Sequence, residues 1–156
     1  MQDVKFKIQD MFFNYRVAGI LKQDGKYLFH KSINDSFWSL VGGRVHVDED
    51  SVSALKREYI EELDLKVNIK QMLWSLENFF TYEKSGYHEI SFIYELTAVE
   101  GQCINSNTAY TGLDDSRLIY QWFTIDELEK LNIKPAIVKQ KILAGNFSRE
   151  HIVIRD

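Results

Sequence analysis

The sequence predicts one α/β domain, a mixed β-sheet held between helices on its two faces. Three observations predict it. Short β-rich runs bounded by turn formers lie on both sides of one amphipathic helical stretch, two further short helical stretches gather towards the C-terminus, and no repeat, low-complexity tract or Pro/Ser-rich linker divides the 156 residues. With 45% hydrophobic residues, 27% charged residues and a single proline, the chain has the balance of a globular protein. A chain of this length buries roughly two-thirds of its unfolded surface in one core, so a second domain is not required.

The elements follow in order. Residues 12–22, FFNYRVAGILK, and 26–31, KYLFHK, read as strands joined by a turn at Gln23-Asp24-Gly25, because an Asp-Gly pair between two β-rich runs is a strong hairpin signal. Residues 32–43, SINDSFWSLVGG, carry turn formers and no sustained period and read as a loop. A helix follows over 51–63, capped by Asp50 or Ser51, with Val52, Leu55, Tyr59 and Leu63 as its apolar stripe. Two strands at 65–82 and 87–99 flank a turn at Glu83-Lys84-Ser85-Gly86. A polar loop over about 100–116 leads to a strand at 117–123, a short helix capped by Thr124, a helix of about ten residues after Pro135, and a final strand in HIVIR.

Charge and composition narrow the function. A net charge of −4 gives no global basic field, so a nucleic-acid polymer is not an expected partner, whereas a small anion can still be met by local cations or metal ions. The lone cysteine, Cys103, cannot pair internally, and the N-terminus MQDVKFKIQD lacks the apolar stretch of a signal peptide. A reducing, cytoplasmic setting is therefore expected. No apolar run approaches the roughly 18 residues that span a bilayer, so no membrane partner is expected.

On a helical wheel with Glu58 at zero and roughly 100° per residue, Glu61 falls near 300° and Glu62 near 40°, while the apolar stripe centres near 105°. Ala54 falls on the same acidic face one turn earlier, where a small side chain would leave space for a ligand. Three carboxylates so placed repel one another by a few tenths of a kcal/mol per pair, about what a hard divalent cation would reverse. An isolated EYIEE run would nonetheless read as solvated surface.

The longer pattern decides otherwise. Gly43, Glu49, Arg57-Glu58, Tyr59, Glu61-Glu62, Asp64 and Leu65 fall at the spacings of the Nudix box, and the chain resembles the Nudix hydrolase family. Six identities at fixed spacing, each at a frequency of about 5–7%, arise by chance in such a chain with a probability on the order of 10⁻⁵. GILKQDGKYLFHK resembles the family's opening hairpin, and QWFTIDELEKLNIKP its Trp-containing strand and short helix. Asp64 stands where the box ends in glycine, Val41 where a proline often precedes the Gly-Gly pair, and Asp48 where a glycine is usual. These departures touch loop geometry and remove no carboxylate; Asp also tolerates the left-handed backbone that ends a helix.

The resemblance implies a Nudix-type α/β/α sandwich and a pyrophosphohydrolase that uses Mg²⁺, or Mn²⁺, on a nucleoside diphosphate linked to another group, such as a nucleoside triphosphate or an ADP-ribose-like compound. It implies metal binding by Glu58, Glu61 and Glu62 with a carbonyl at Gly42 or Gly43, and a general base that is Glu58 or a glutamate outside the box. It also implies that Arg57 and Glu49 pair and hold the loop against the helix, orienting the carboxylates. A homodimer is compatible with it.

Outside the box the candidates are softer. Arg44 beside the glycines can meet a phosphate or stand in solvent. Glu77-Asn78-Phe79-Phe80 and His88-Glu89 would meet across a hairpin, making Glu89 a candidate metal ligand or base and Phe80 a candidate substrate contact. Phe12, Phe13, Trp38, Phe79 and Tyr82 can also stack on a base, although aromatics mostly fill cores. His30, His46 and His151 read as structural, and Cys103 has no identifiable base partner for a nucleophilic role. The alternatives are a Nudix-like module that binds a nucleotide without cleaving it, against which the intact glutamate set argues, and a purely structural domain, which leaves the acidic face unexplained.

Overall fold

The computed structural model describes residues 2–102 and 109–155. Cys103 lies outside them. Among the described residues the strands are β1 (Lys5–Ile8), β2 (Met11–Gln23), β3 (Lys26–Ser32), β4 (Ser39–Leu40), β5 (Gly42–Arg44), β6 (Val67–Tyr82), β7 (Ser85–Ala98), β8 (Tyr110–Thr111), β9 (Leu118–Phe123) and β10 (Glu150–Arg155). The helices are α1 (Ser51–Leu63), α2 (Ile125–Glu129) and α3 (Ala136–Ala144). The strands run in the order β10-β6-β7-β2-β3-β9-β8, with β1, β4 and β5 attached alongside. The sheet is mixed, since β2 pairs parallel with β7 and β10 parallel with β6 while the hairpins are antiparallel.

Helices on both faces make the sandwich that the sequence predicts. On one face α1 sets Leu55, Tyr59 and Leu63 against Val17, Leu21, Leu96 and Trp122. On the other, Leu128 of α2 and Val138 and Ile142 of α3 cover Ala18, Ile20, Trp74 and Ile93. Alternating side chains of β2 enter the two cores in turn, which is how a two-residue period fills both layers.

Local chemistry sets the boundaries of α1. Asp50 Oδ1 accepts from the backbone N–H of Ser53 at 2.8 Å, and Asp64 ends the helix in the left-handed region at φ 50° and ψ 39°, so the missing closing glycine leaves the turn intact. Thr124 and Glu127 form a reciprocal capping box at the start of α2.

Several boundaries differ from expectation. The 32–43 segment is not wholly loop, because β4 pairs with β3 and β5 pairs with β2, pinning the Gly-Gly pair to the sheet. The second hairpin turns on Glu83-Lys84 alone, both at positive φ (48° and 68°), with Ser85 and Gly86 already in β7. Part of the polar loop over 100–116 pairs as β8 with β9. Ala54 opens no ligand space: it is fully buried with Val45 and Leu55, because that flank of α1 packs against β5 and the core beside it.

Candidate active site

The acidic face of α1 lies over β5. A Cβ on Gly43 would meet the Glu58 carboxylate, so any larger residue there would push that side chain from its place. Gly42 is more strictly confined, since a Cβ would meet the Val17 backbone carbonyl oxygen. The Gly-Gly pair therefore lets backbone and carboxylate share one wall of a cavity of about 420 Å³, also lined by Arg16, Arg44 and Glu62.

Arg57 organises this wall. Its Nε and Nη2 donate to Glu49 Oε2 and Oε1 at 2.8 and 3.0 Å, a two-pronged pairing that matches the planar guanidinium. Nη2 also donates to the Arg44 carbonyl at 3.1 Å, and Nη1 donates to Glu58 Oε1 at 2.9 Å and Glu61 Oε2 at 3.1 Å. The His46 backbone N–H donates to Glu49 Oε1 at 3.0 Å, so the Arg57–Glu49 pair joins the backbone bonds of Val45 and Val47 in holding the loop between β5 and α1. The Arg57 hydrogen bonds hold the Glu49 carboxyl below its ordinary range, and the Arg57 guanidinium is itself held more firmly protonated, chiefly by Glu49.

The three box carboxylates differ in surroundings. The Glu61 side chain is 44% exposed and meets only the rim of the site through Arg57. Glu58 is largely buried, and burial pushes its carboxyl up although the Arg57 guanidinium opposes this. Glu62 is 8% exposed, its Oε2 is buried without a hydrogen-bond partner, and burial, with the nearby charge of Glu58 adding to it, pushes its carboxyl up to about 8. Behind it lie the buried hydroxyls of Tyr59 and Tyr120, and the Tyr120 hydroxyl beside Glu62 partly offsets the effect of burial on that carboxyl.

The donor chemistry fits a hard divalent cation. A buried carboxylate oxygen without a partner and a second carboxylate against a glycine backbone are oxygen ligands that a cation would satisfy. Among the described residues no three His, Cys, Asp or Glu side chains already converge into a cage. Mg²⁺ commonly binds through one or two carboxylates, waters and substrate phosphates, and so does not need one.

A second cavity of about 240 Å³ shares Asn14, Arg16, Phe37, Ser39, Arg44 and Tyr82 with the first. Sequence reasoning missed most of this space. Phe80 and Tyr82 do line it, together with Phe37, Tyr87 and Lys134; Phe12, Phe13, Trp38 and Phe79 do not line either cavity. Trp38 instead meets Phe123 edge-on at 4.9 Å over the α3-side core. Glu89 also lies in the second cavity and not in the wall with Glu58 and Glu62. Burial raises its carboxyl, while Arg16, the amide of Asn14 and Arg44 oppose the shift.

Arg16 and Arg44 are register partners on β2 and β5 and line both cavities. Arg16 Nη2 donates to the Leu40 carbonyl at 3.0 Å and Arg44 Nε to Asn14 Oδ1 at 2.5 Å, so both guanidiniums are aimed. Pairing of Gly43 with Val17 on the next rung was the only available signal for Arg16, and it needs the sheet register to be known. Of the histidines, His30 lines the cavity with Glu58 and Glu62 but is buried beside Tyr120 with its pKa lowered to about 3, His46 lies against Asp3 and Glu49, and His151 pairs with Glu77.

Comparison with known proteins identifies the family and the fold. The model of the NUDIX domain matches residues 14–143. Solved structures with the same fold include a UDP-X diphosphatase (18% identity, TM-score 0.59, 89% of this chain and 66% of that one), so the chain spans about two-thirds of that protein's length. An ADP-ribose pyrophosphatase from Streptococcus suis (17% identity, TM-score 0.59) is covered over 98% of its length and 90% of this chain. A mutator MutT protein from Bacillus halodurans (16% identity, TM-score 0.64) is covered over 86% of its length and 88% of this chain. No curated protein matches the chain.

Proposed function

Because the chain belongs to the Nudix family of hydrolases, we propose that it is a divalent-cation-dependent pyrophosphohydrolase, cleaving the phosphoanhydride of a nucleoside diphosphate linked to another group. The observation that carries the reading is the shared wall of Glu58, Glu62 and Gly43, with Arg16 and Arg44 leading from it to an aromatic-lined cavity. A site with carboxylates at one end, guanidiniums in the middle and rings at the other matches metal, phosphates and base in that order.

Glu58 and Glu62 would hold the cation with a backbone carbonyl at Gly42 or Gly43, and Glu61 would join from the rim. When bound, Mg²⁺ or Mn²⁺ supplies charge neutralisation at the phosphates and a water acidic enough to attack near neutral pH. The chain supplies the rest. Arg16 and Arg44 offset the charge that develops on phosphate oxygens, which is most of what a protein can contribute to phosphoryl transfer. Glu58, fixed by the Arg57 Nη1 bond, accepts the proton of the attacking water as the P–O bond of the anhydride breaks.

Partners follow from the same geometry: a small nucleotide fits, and no described helix is long and apolar enough to cross a membrane. Incubation with a panel of nucleoside triphosphates and nucleoside-diphosphate sugars, with Mg²⁺ and then with excess EDTA, tests the proposal. Phosphate or pyrophosphate release that stops with chelator is expected; full turnover in EDTA sinks it.

A further inference from the structure

The floor of the aromatic cavity is a polar row set across three adjacent strands. Asn14 of β2 and Asn78 of β6 are both register partners of Glu89 on β7, and the three are 4%, 7% and 7% exposed. Polar groups buried on a sheet face are normally hydrogen-bonded. Here the bonds are incomplete. Asn14 Nδ2 donates to Glu89 Oε2 at 2.7 Å and Asn14 Oδ1 accepts from Arg44; the bond from Asn14 is the one side-chain hydrogen bond of Glu89 among the described residues, and Asn78 Oδ1 is buried without a partner.

The next rung on the same face is aromatic. Phe12, Tyr87 and Phe80 are register partners, with Phe12 and Tyr87 rings at 5.3 Å and Tyr87 and Phe80 rings parallel at 5.1 Å. Tyr87 and Phe80 line the cavity with Phe37 and Tyr82, whose rings meet edge-on at 6.2 Å. Apolar rings around a few convergent polar groups suit a flat heteroaromatic ligand. A carboxylate can only accept hydrogen bonds, so the edge of that ligand facing Glu89 must carry donors.

We infer that Glu89, seated between Asn14 and Asn78, is the specificity-determining residue of this cavity and selects a guanine-type base, whose ring N–H and exocyclic amine are adjacent donors. The inference rests on the pyrophosphohydrolase reading above, whose substrate it narrows. Adenine and cytosine place a ring-nitrogen lone pair beside their amine, which would face the carboxylate acceptor to acceptor. Uracil and thymine offer one N–H between two carbonyls. Asn78 lies one strand further along the same edge, where its amide meets the neighbouring position of the base. Arg16 and Arg44 continue from the row towards Glu58 and Glu62, so a base held here directs its phosphates to the carboxylates.

Calorimetry with guanosine, inosine and adenosine 5′-monophosphates and the full chain, in EDTA, tests the inference without any turnover. Guanosine monophosphate should bind at least about tenfold more tightly than the other two, because a site built to pair an N–H rejects the analogue that lacks it. Inosine differs from guanosine only by the amine, so that comparison isolates the second donor. Glu89→Gln is isosteric and should remove the preference while changing adenosine monophosphate binding less than about threefold; it should favour xanthosine monophosphate, since the amide offers one acceptor and one donor. Wild-type affinities within threefold for all three bases overturn the inference, as does a folded Glu89→Gln protein that keeps the guanine preference. The wild-type comparison stands even where the variant does not fold. Hydrolysis of the three triphosphates in Mg²⁺ without base preference would sink the inference and leave the activity; guanine-selective binding with no hydrolysis of any nucleotide would do the reverse.

Discussion

Replacing Arg57 with Ala removes the side chain that ties Glu49 of the loop between β5 and α1 to the Glu58 carboxylate. The guanidinium makes two bonds to Glu49, one to Glu58, one to Glu61 and one to the Arg44 carbonyl, all between 2.8 and 3.1 Å. Arg57, Glu49 and Glu58 side chains are 21%, 11% and 13% exposed, so water only partly replaces what is lost. The rim bond to Glu61 contributes little, as exposed pairs do. The two-pronged Glu49 pair and the Glu58 bond are charge-assisted and mostly buried, and leaving their carboxylates unpaired should cost about 2–4 kcal/mol of stability.

Activity should fall as well, because Glu58 loses its orientation; groups that orient metal ligands typically cost about 10–100-fold when removed. Arg57→Lys should recover part of the stability, since the charge returns, but less of the activity, since an ammonium cannot span Glu49, Glu58 and the Arg44 carbonyl at once. Urea unfolding gives the first quantity. The second is kcat/KM per folded molecule, read together with the Mg²⁺ concentration for half-maximal rate. An Arg57→Ala protein that is destabilised yet keeps wild-type kcat/KM and Mg²⁺ dependence would show that the arginine braces the loop and does nothing for the carboxylates.

Two further predictions concern buried titratable groups. Glu62, pushed up to about 8 by burial, favours the fold when neutral, so its contribution is complete below its unfolded value of 4.5 and is lost as pH rises through 8. In EDTA, Glu62→Gln should therefore raise Tm at pH 8 more than at pH 5, while hydrolysis in Mg²⁺ falls by at least about a hundredfold; a lower Tm at pH 8 with turnover intact would contradict both halves. His30, its pKa lowered to about 3 by burial first and Arg16 second, is neutral in the folded chain, whereas the unfolded chain takes up a proton below 6.5. Stability should thus drop between pH 6.5 and 3, by about 2 kcal/mol at pH 5 from this group alone, and His30→Gln should flatten that drop in urea titrations at pH 5 and 7; an unchanged slope would show that His30 is not its source.

The helix 51–63 was legible in the sequence because everything that defines it is local. Asp50 caps from within the next turn, Asp64 closes it in the left-handed region, and the 3.6-residue period brings Glu58 and Glu62 to one face. The pairing of Glu49 with Arg57 was legible only through the resemblance, since eight residues and a loop separate them. Elsewhere the local chemistry is equivocal and the fold decides. Glu83-Lys84 adopt positive φ without a glycine, and β4 and β5 are strands only because β3 and β2 supply their partners. Ala54 lay on the flank of the wheel that β5 happens to cover.

The second cavity was legible only along one hairpin, whose two arms bring Asn78 and Phe80 to Glu89; what Asn14, Arg16 and Arg44 add to it was not. Asn14, Glu89 and Asn78 are 75 and 11 residues apart along the chain, and Arg16 and Arg44 are separated by 28; each set converges only through sheet register. Register depends on which strands pair, in which direction and at which bulge, and those are properties of the whole sheet. By itself, then, the sequence determined the helix and its carboxylates, because period and capping act over a few residues, whereas the glycines were marked only by the resemblance and their close approaches to Glu58 and Val17 come from the fold. Only the tertiary structure decided what stands opposite those carboxylates, because parallel pairing of β2 with β7 sets a polar row and an aromatic row side by side across distant segments, and no local preference encodes that distance.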